Sequence, residues 1–286
     1  MTGMLRQRVV TAVLLLALLL SALASSSAWP FAVLTLTLIA AAGWEWGHLN
    51  QAPRPLALAM GAALALALAG GLVLAGGLNQ QALSAVWWLA TALWLVGGVV
   101  ALRTGPAAWP HLPRPARWVV GLLALAAAWL ALAQAHAIGI NFMLSVLCLV
   151  WMADIAAYFG GRALGRRKLA PSISPGKTWE GVGSGVVGVM LLALAWAWLD
   201  RRFGFASASL YTRLWQALGW AGSVIALLAL CGMSVLGDLI ESLVKRAAGA
   251  KDSSRLLPGH GGVLDRVDAL LPVLPVALAL TTLGAP

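Results

Sequence analysis

The chain has 286 residues, of which 61% are hydrophobic and only 10% charged, against about 25% charged in an ordinary soluble domain. No water-soluble fold covers that much apolar surface, and the same numbers exclude disorder, so lipid is the solvent for most of this chain. The formal net charge of +10 invites a nucleic-acid reading, but the basic residues sit in short loops between apolar runs and no soluble basic domain carries them.

At the N-terminus, Arg6 and Arg8 precede the run VVTAVLLLALLL, and Ala22-Leu23-Ala24 then has the form of a signal-peptide cleavage site. The run is long enough to span and a second span follows at once, so we read a retained first helix. Nine apolar stretches can each cross about 30 Å of hydrocarbon at about 1.5 Å per residue. They cover 6–24, 29–46, 56–76, 82–102, 118–136, 138–160, 180–199, 216–236 and 267–283. Breakers separate them at Trp29-Pro30, Pro53-Arg54-Pro55, Gly76-Gly77 and Pro110 to Pro115. The expected fold is an all-α polytopic integral membrane protein of about nine transmembrane helices. Residues 1–137 would form a scaffold of five spans, and residues 138–286 a catalytic region of four spans with cytoplasmic loops. With the N-terminus inside, sixteen of the nineteen basic residues fall on the inner side, and only Arg201, Arg202 and Arg213 lie outside. The split predicts N-inside and C-outside. Cys148 and Cys231 lie within apolar runs and read as small core residues. The fifteen tryptophans fall mostly near span ends, as an interfacial belt does.

Nine carboxylates are few enough to be informative. Glu45 and Asp200 stand alone. Asp154, Glu180, Asp238, Glu241, Asp252, Asp265 and Asp268 fall near the inner ends of the last four spans or in the loops joining them. An ionisable group at membrane depth costs about 3 kcal/mol or more and is rarely idle. In GDLIESLVKRAAGAKDSSRLLPGHGGVLDRVD, residues 237–268, the members Asp238, Glu241, Ser242 and Lys245 share one helical face. Pro258-Gly259-His260-Gly261-Gly262 is a tight turn whose glycines let backbone N–H groups approach an anion. His260 can contact phosphate or order that loop. Asp265 and Asp268 follow one helical turn apart. Paired carboxylates beside a glycine turn and several cations suit a Mg2+–phosphate site, with Asp238, Asp265 and Asp268 as metal ligands.

The second polar segment, WMADIAAYFGGRALGRRKLAPSISPGKTWEG, covers residues 151–181. Asp154 lies in the last turns of a span, where a lone aspartate can equally be a helix-packing hydrogen bonder. Ser172 to Thr178 is not a P-loop, because residue 171 is proline and no strand precedes it. We read it as a polar re-entrant loop whose Lys177 and hydroxyls, Ser174 among them, meet phosphate. Gly181 and Gly185 have the spacing of close helix packing.

The run from Ser242 through Lys245-Arg246, Lys251-Asp252, Pro258 to Gly262 and Asp265-Arg266 to Asp268 resembles the signature of the phosphatidate cytidylyltransferases, the CDP-diacylglycerol synthases. Trp151 to Asp154, Ala157-Tyr158, Gly161-Arg162, Lys168 to Pro171 and Ser174 to Gly181 are similar to that family's other polar stretch. The N-terminal half agrees only in hydropathy. The resemblance implies that CTP and phosphatidic acid give CDP-diacylglycerol and pyrophosphate at the cytoplasmic face of a bacterial inner membrane. It also implies Mg2+ dependence, a second cation site and a homodimer. The catalytic set would be Asp238, Asp265, Lys177 and Lys245. Ser174, Lys177, Arg246, Lys251, His260, Gly261, Gly262, Arg266 and Asp154 would bind substrate. The alternatives are another membrane-embedded lipid phosphotransferase, or a transporter with an ion site on the cytoplasmic side.

Overall fold

The computed structural model describes residues 2–25, 27–74 and 80–284. The expected Gly76-Gly77 breaker and the side chains of Arg6 and Arg8 lie outside the described parts. Helices α1 (Thr2–Ala24), α2 (Trp29–Leu49), α3 (Arg54–Leu74), α4 (Gln80–Thr104), α5 (Arg114–Ile138) and α6 (Ile140–Leu164) follow one another with short connections. A two-stranded antiparallel hairpin, β1 (Lys168–Ala170) and β2 (Ser174–Thr178), then leads into α7 (Trp179–Phe203) and α8 (Leu210–Ala247). The short α9 (Leu264–Val267) and α10 (Leu270–Thr281) complete the chain's helices.

Within the described residues, each of the nine apolar stretches falls mainly on helix. Among the described residues, seven helices are long and apolar enough to cross a membrane: α3 to α8, and the run Leu264–Gly284 that contains α9 and α10. α2 falls outside that group. It has 21 residues, but Trp44, Glu45, Trp46 and His48 make its last turns polar.

The hairpin corrects the expected re-entrant loop. Lys168 pairs with Thr178 and Ala170 with Ser174, so the Pro-Gly segment that broke the helical pattern is an extended strand. At its end the Thr178 side chain accepts from Gly181 N (3.1 Å) and caps α7. Where α7 runs along α6, glycine permits contact that no other residue allows. A Cβ on Gly181 would lie 2.9 Å from the Ala157 carbonyl oxygen, and one on Gly185 2.9 Å from that of Ala153.

α10 is the axis of the molecule. Every residue from Leu271 to Ala279 is buried, and α4, α5, α6 and α8 all pack against it. α8 begins earlier and ends later than hydropathy indicated, with Ser209 as its N-cap and a break at Gly219 (φ 65°). From Gly219, about 20 helical residues cross the hydrocarbon, so the span is complete near Leu239. The polar turns Glu241 to Arg246 follow beyond that length of helix.

The tryptophans are not only a belt. Trp46, Trp87, Trp109 and Trp129 are buried. Three of these indoles donate inward: Trp46 to the Arg117 carbonyl (2.9 Å), Trp109 to Asn50 Oδ1 (2.9 Å) and Trp129 to Thr35 Oγ1 (3.1 Å). These bonds tie α2 to α5 and to the connection between α4 and α5, whereas buried Trp87 Nε1 has no partner among the described residues.

Candidate active site

The polar ends of α2, α6 and α8 meet the beginnings of α7 and α9 on one side of the bundle. The opposite end of α7, about 37 Å away by helix rise, holds a separate polar knot. There Asp200 accepts from Asn141 Nδ2 (2.9 Å) and Ser209 N (3.0 Å) as well as the Ser209 and Thr212 hydroxyls.

On the first side the hairpin is pinned at both ends. Glu180 accepts from Arg166 N (3.0 Å) and Arg167 N (3.1 Å) at its base. Ile173 at its tip, 3% exposed, is buried in one cluster with Leu239, Leu243 and Val244 of α8. Arg246 Nε donates to the Ile173 carbonyl (3.3 Å) and its NH1 to that of Ala250 (3.1 Å). Arg246, expected to bind substrate, therefore braces hairpin and helix end. Ser174 is half-buried in β2. The docked strand delivers Lys177 Nζ to 2.6 Å from Asp238 Oδ2.

The predicted face of α8 forms. Ser242 Oγ donates to Asp238 Oδ1 (3.3 Å), and Lys245 Nζ lies 2.5 Å from Glu241 Oε2 and 2.6 Å from Asp265 Oδ1. Both ion pairs of Lys245 are almost fully withdrawn from solvent. Asp154 and Asp268 each feel the charge of Asp238, while Lys177 and Arg266 act on Asp154, and Lys245 on Asp268, in the opposite sense.

The glycine turn does something other than expected. Leu257 to His260 form a β-turn with Pro258 second and Gly259 third (φ 75°), closed by His260 N donating to the Leu257 carbonyl (2.9 Å). This is the type II arrangement, in which the third position needs positive φ. The chain then folds back so that Gly262 N donates 2.8 Å to Asp265 Oδ2, which also accepts from Ser253 N (2.9 Å) and Ser253 Oγ (2.9 Å). The anion cradled by this backbone is the protein's own Asp265. At Gly261 (φ 83°) a Cβ would lie 2.7 Å from Asp265 Oδ2, so bulk there would dislodge the carboxylate.

The remaining expected residues fall around this core. Arg266 donates to the His260 carbonyl (3.0 and 2.6 Å) and does not neutralise Asp265. His260 Nδ1 is buried without a hydrogen-bond partner among the described residues. Lys251 is exposed and forms no ion pair among them. Sequence reasoning missed Glu45, Ser253 and Ser254. The Glu45 carboxylate on α2 accepts from both hydroxyls and from Val263 N and Leu264 N. Its only signal was a carboxylate alone in an apolar stretch.

Asp238, Asp265 and Asp268 do not form a ready ligand set. Among the described residues no three His, Cys, Asp or Glu side chains converge as metal ligands, because Asp265 turns away to Lys245 and the loop. The donor chemistry still fits a hard divalent cation, because all the acidic groups offer oxygen.

This is a helical membrane bundle with an acidic and basic cluster at one end. Residues 6–283 match the model of the Cytidylyltransferase family, and the chain belongs to that family. It is similar to the phosphatidate cytidylyltransferase of Pseudomonas aeruginosa, with 39% identity over 279 residues, 97% of each chain. It is similar to that of Haemophilus influenzae at 36% over 294 residues, 95% of this chain and 96% of the other. Against the phosphatidate cytidylyltransferase of Brucella suis, identity is 49% over 133 residues, 46% and 44% of the two chains.

Proposed function

We propose that this protein transfers the cytidylyl group of CTP to phosphatidic acid, giving CDP-diacylglycerol and pyrophosphate for phospholipid synthesis. The observation that carries this reading is the family match across residues 6–283, joined to the clustering of Lys177, Asp238, Lys245, Asp265 and Asp268 at one end of the bundle. A phosphate oxygen of the lipid attacks the α-phosphorus of CTP. The bond from that phosphorus to the β-phosphate oxygen breaks, and pyrophosphate leaves with the electron pair. No covalent enzyme intermediate is needed, so the protein positions the two phosphates and neutralises their charge.

Asp238, Asp268 and Asp265 would hold Mg2+, which supplies Lewis-acid stabilisation of the triphosphate. Lys177 and Lys245 now occupy Asp238 and Asp265. A cation bound there would share these carboxylates with the lysines and leave Lys177, Lys245 and the exposed Lys251 available to phosphate oxygens. Asp154 adds negative field beside Asp238, and His260 offers its unpartnered Nδ1. Gly261 and Gly262 keep the turn close to Asp265, while Arg246 and Arg266 fix the surrounding backbone.

CTP is a cytosolic solute, and the split of basic residues supports nine crossings with the N-terminus inside, the C-terminus outside and the cluster facing the cytoplasm of a bacterial inner membrane. A second cation and a homodimer belong to the same proposal through the family resemblance. Purified protein in detergent, supplied with CTP, phosphatidate and Mg2+, tests it: label from α-phosphate-labelled CTP should pass into lipid. No transfer by folded protein would reject the reading.

A further inference from the structure

Glu45 is fully buried on α2, and among the described residues no lysine or arginine forms an ion pair with it. A buried carboxylate without a cation persists only where hydrogen bonds replace water. Oε1 accepts from Ser254 Oγ (2.6 Å) and Val263 N (3.0 Å), and Oε2 from Ser253 Oγ (3.1 Å) and Leu264 N (2.7 Å). Every donor belongs to the loop and turn that bring the chain to Asp265, more than 200 residues away in sequence. The Ser253 hydroxyl is also 2.9 Å from Asp265 Oδ2; its one proton serves one carboxylate at a time, so it stands between the two as a shared donor.

The seat of Glu45 is itself rigid. The adjacent Trp46 donates to the Arg117 carbonyl (2.9 Å) and lies flush on Gly121, where a Cβ would come within 1.8 Å of the indole. On the loop side, a Cβ at Gly262 would come within 2.4 Å of Glu45 Oε1 and 2.1 Å of Ser253 Oγ. α1 meets the same loop through Thr11 Oγ1, which donates to the Pro258 carbonyl (3.1 Å).

We propose that Glu45 is a positioning residue for the cytidylyl transfer, clamping the 253–264 loop to the N-terminal helices so that Asp265 is presented to Lys245 and to the substrates. This rests on the proposed function. It gives the N-terminal half a part in the site that hydropathy alone does not reveal.

The test is Glu45→Gln beside Ser254→Ala in the whole chain. Each Glu45 oxygen takes one backbone N–H, so whichever way glutamine turns, its NH2 meets the N–H of Val263 or Leu264. Two readouts are taken: steady-state kinetics with CTP and phosphatidate, and hydrogen exchange resolved along the chain. Turnover should fall about tenfold or more, the worth of a charge-assisted hydrogen bond, with KM for phosphatidate unchanged. Exchange should quicken at residues 253 and 262–265 and stay at the wild-type rate in α6 and α7. If Glu45→Gln fails to fold, Ser254→Ala, whose hydroxyl bonds Glu45 and not Asp265, decides. Wild-type turnover with wild-type loop protection would overturn the proposal, as would faster exchange spread evenly over all helices. A wild-type protein without transferase activity would reject the function while leaving the exchange result to judge the clamp.

Discussion

Replacing Asp265 by asparagine removes one charge from the centre of the cluster and changes little volume. In the native protein Oδ1 faces Lys245 Nζ at 2.6 Å, while Oδ2 takes Ser253 N, Ser253 Oγ and Gly262 N at 2.8 to 2.9 Å. An amide cannot satisfy both sides. With its oxygen toward the loop, its NH2 faces the Lys245 ammonium; turned the other way, it faces two backbone N–H groups. Lys245 keeps Glu241, so the loss is that of a buried charge-assisted hydrogen bond and not of a whole ion pair, about 1.5–3 kcal/mol. At about 1.36 kcal/mol per factor of ten, that is a loss of roughly tenfold to more than a hundredfold if it falls on the transition state. The assay is CDP-diacylglycerol formation by the purified variant across a Mg2+ titration, with a thermal melt of the same sample. The variant should fold, lose turnover by that factor, and need more Mg2+ to reach half its own maximum. A folded Asp265→Asn protein with the wild-type rate and the wild-type Mg2+ requirement would refute the assignment.

Lys177→Ala should insert and melt like the wild type yet lose most of its turnover, because Lys177 is the only described cation paired to Asp238; near-normal turnover removes it from the site. Gly237→Ala should lower both stability and activity, since its Cβ would sit 2.4 Å from the Asp268 carbonyl and 2.9 Å from Pro272; overpacking of this kind costs about 1–3 kcal/mol, read from the melt. Asp200→Ala, at the far end of α7, should lower the melting temperature but leave turnover per folded molecule unchanged, and a selective loss of turnover would contradict the one-sided site. Reporters fused after Phe205 and after the C-terminus should both read as outside, and a cytoplasmic C-terminus would sink the nine-crossing topology.

The helices were legible because lipid makes hydropathy decisive: within the described residues each apolar stretch falls mainly on helix, and the polar face of α8 from Asp238 to Lys245 forms as spaced. The ends were not legible where tertiary contacts set them. α8 extends back to Leu210 because Ser209 caps it and accepts from Thr212 N, which no apolar period reports. The hairpin was invisible because two short strands carry no periodicity, and it is stabilised by laying Ile173 on α8. Glu45 was passed over for a deeper reason. Its partners lie in the other half of the chain, and a lone carboxylate gives no sign that two serines and two backbone amides converge on it. The glycine turn was read as facing a ligand, whereas its nearest anion is three residues ahead in the same chain.

The central claim is tested most directly by following both products at once. Purified wild-type protein in phosphatidate-containing micelles receives CTP labelled at the α-phosphate, with and without Mg2+, while pyrophosphate is counted enzymatically. The account predicts one pyrophosphate released for each labelled CDP-diacylglycerol formed, dependent on CTP, phosphatidate and Mg2+ together. Folded protein that hydrolyses CTP without labelling the lipid, or that labels it equally well in the absence of any divalent cation, would contradict it.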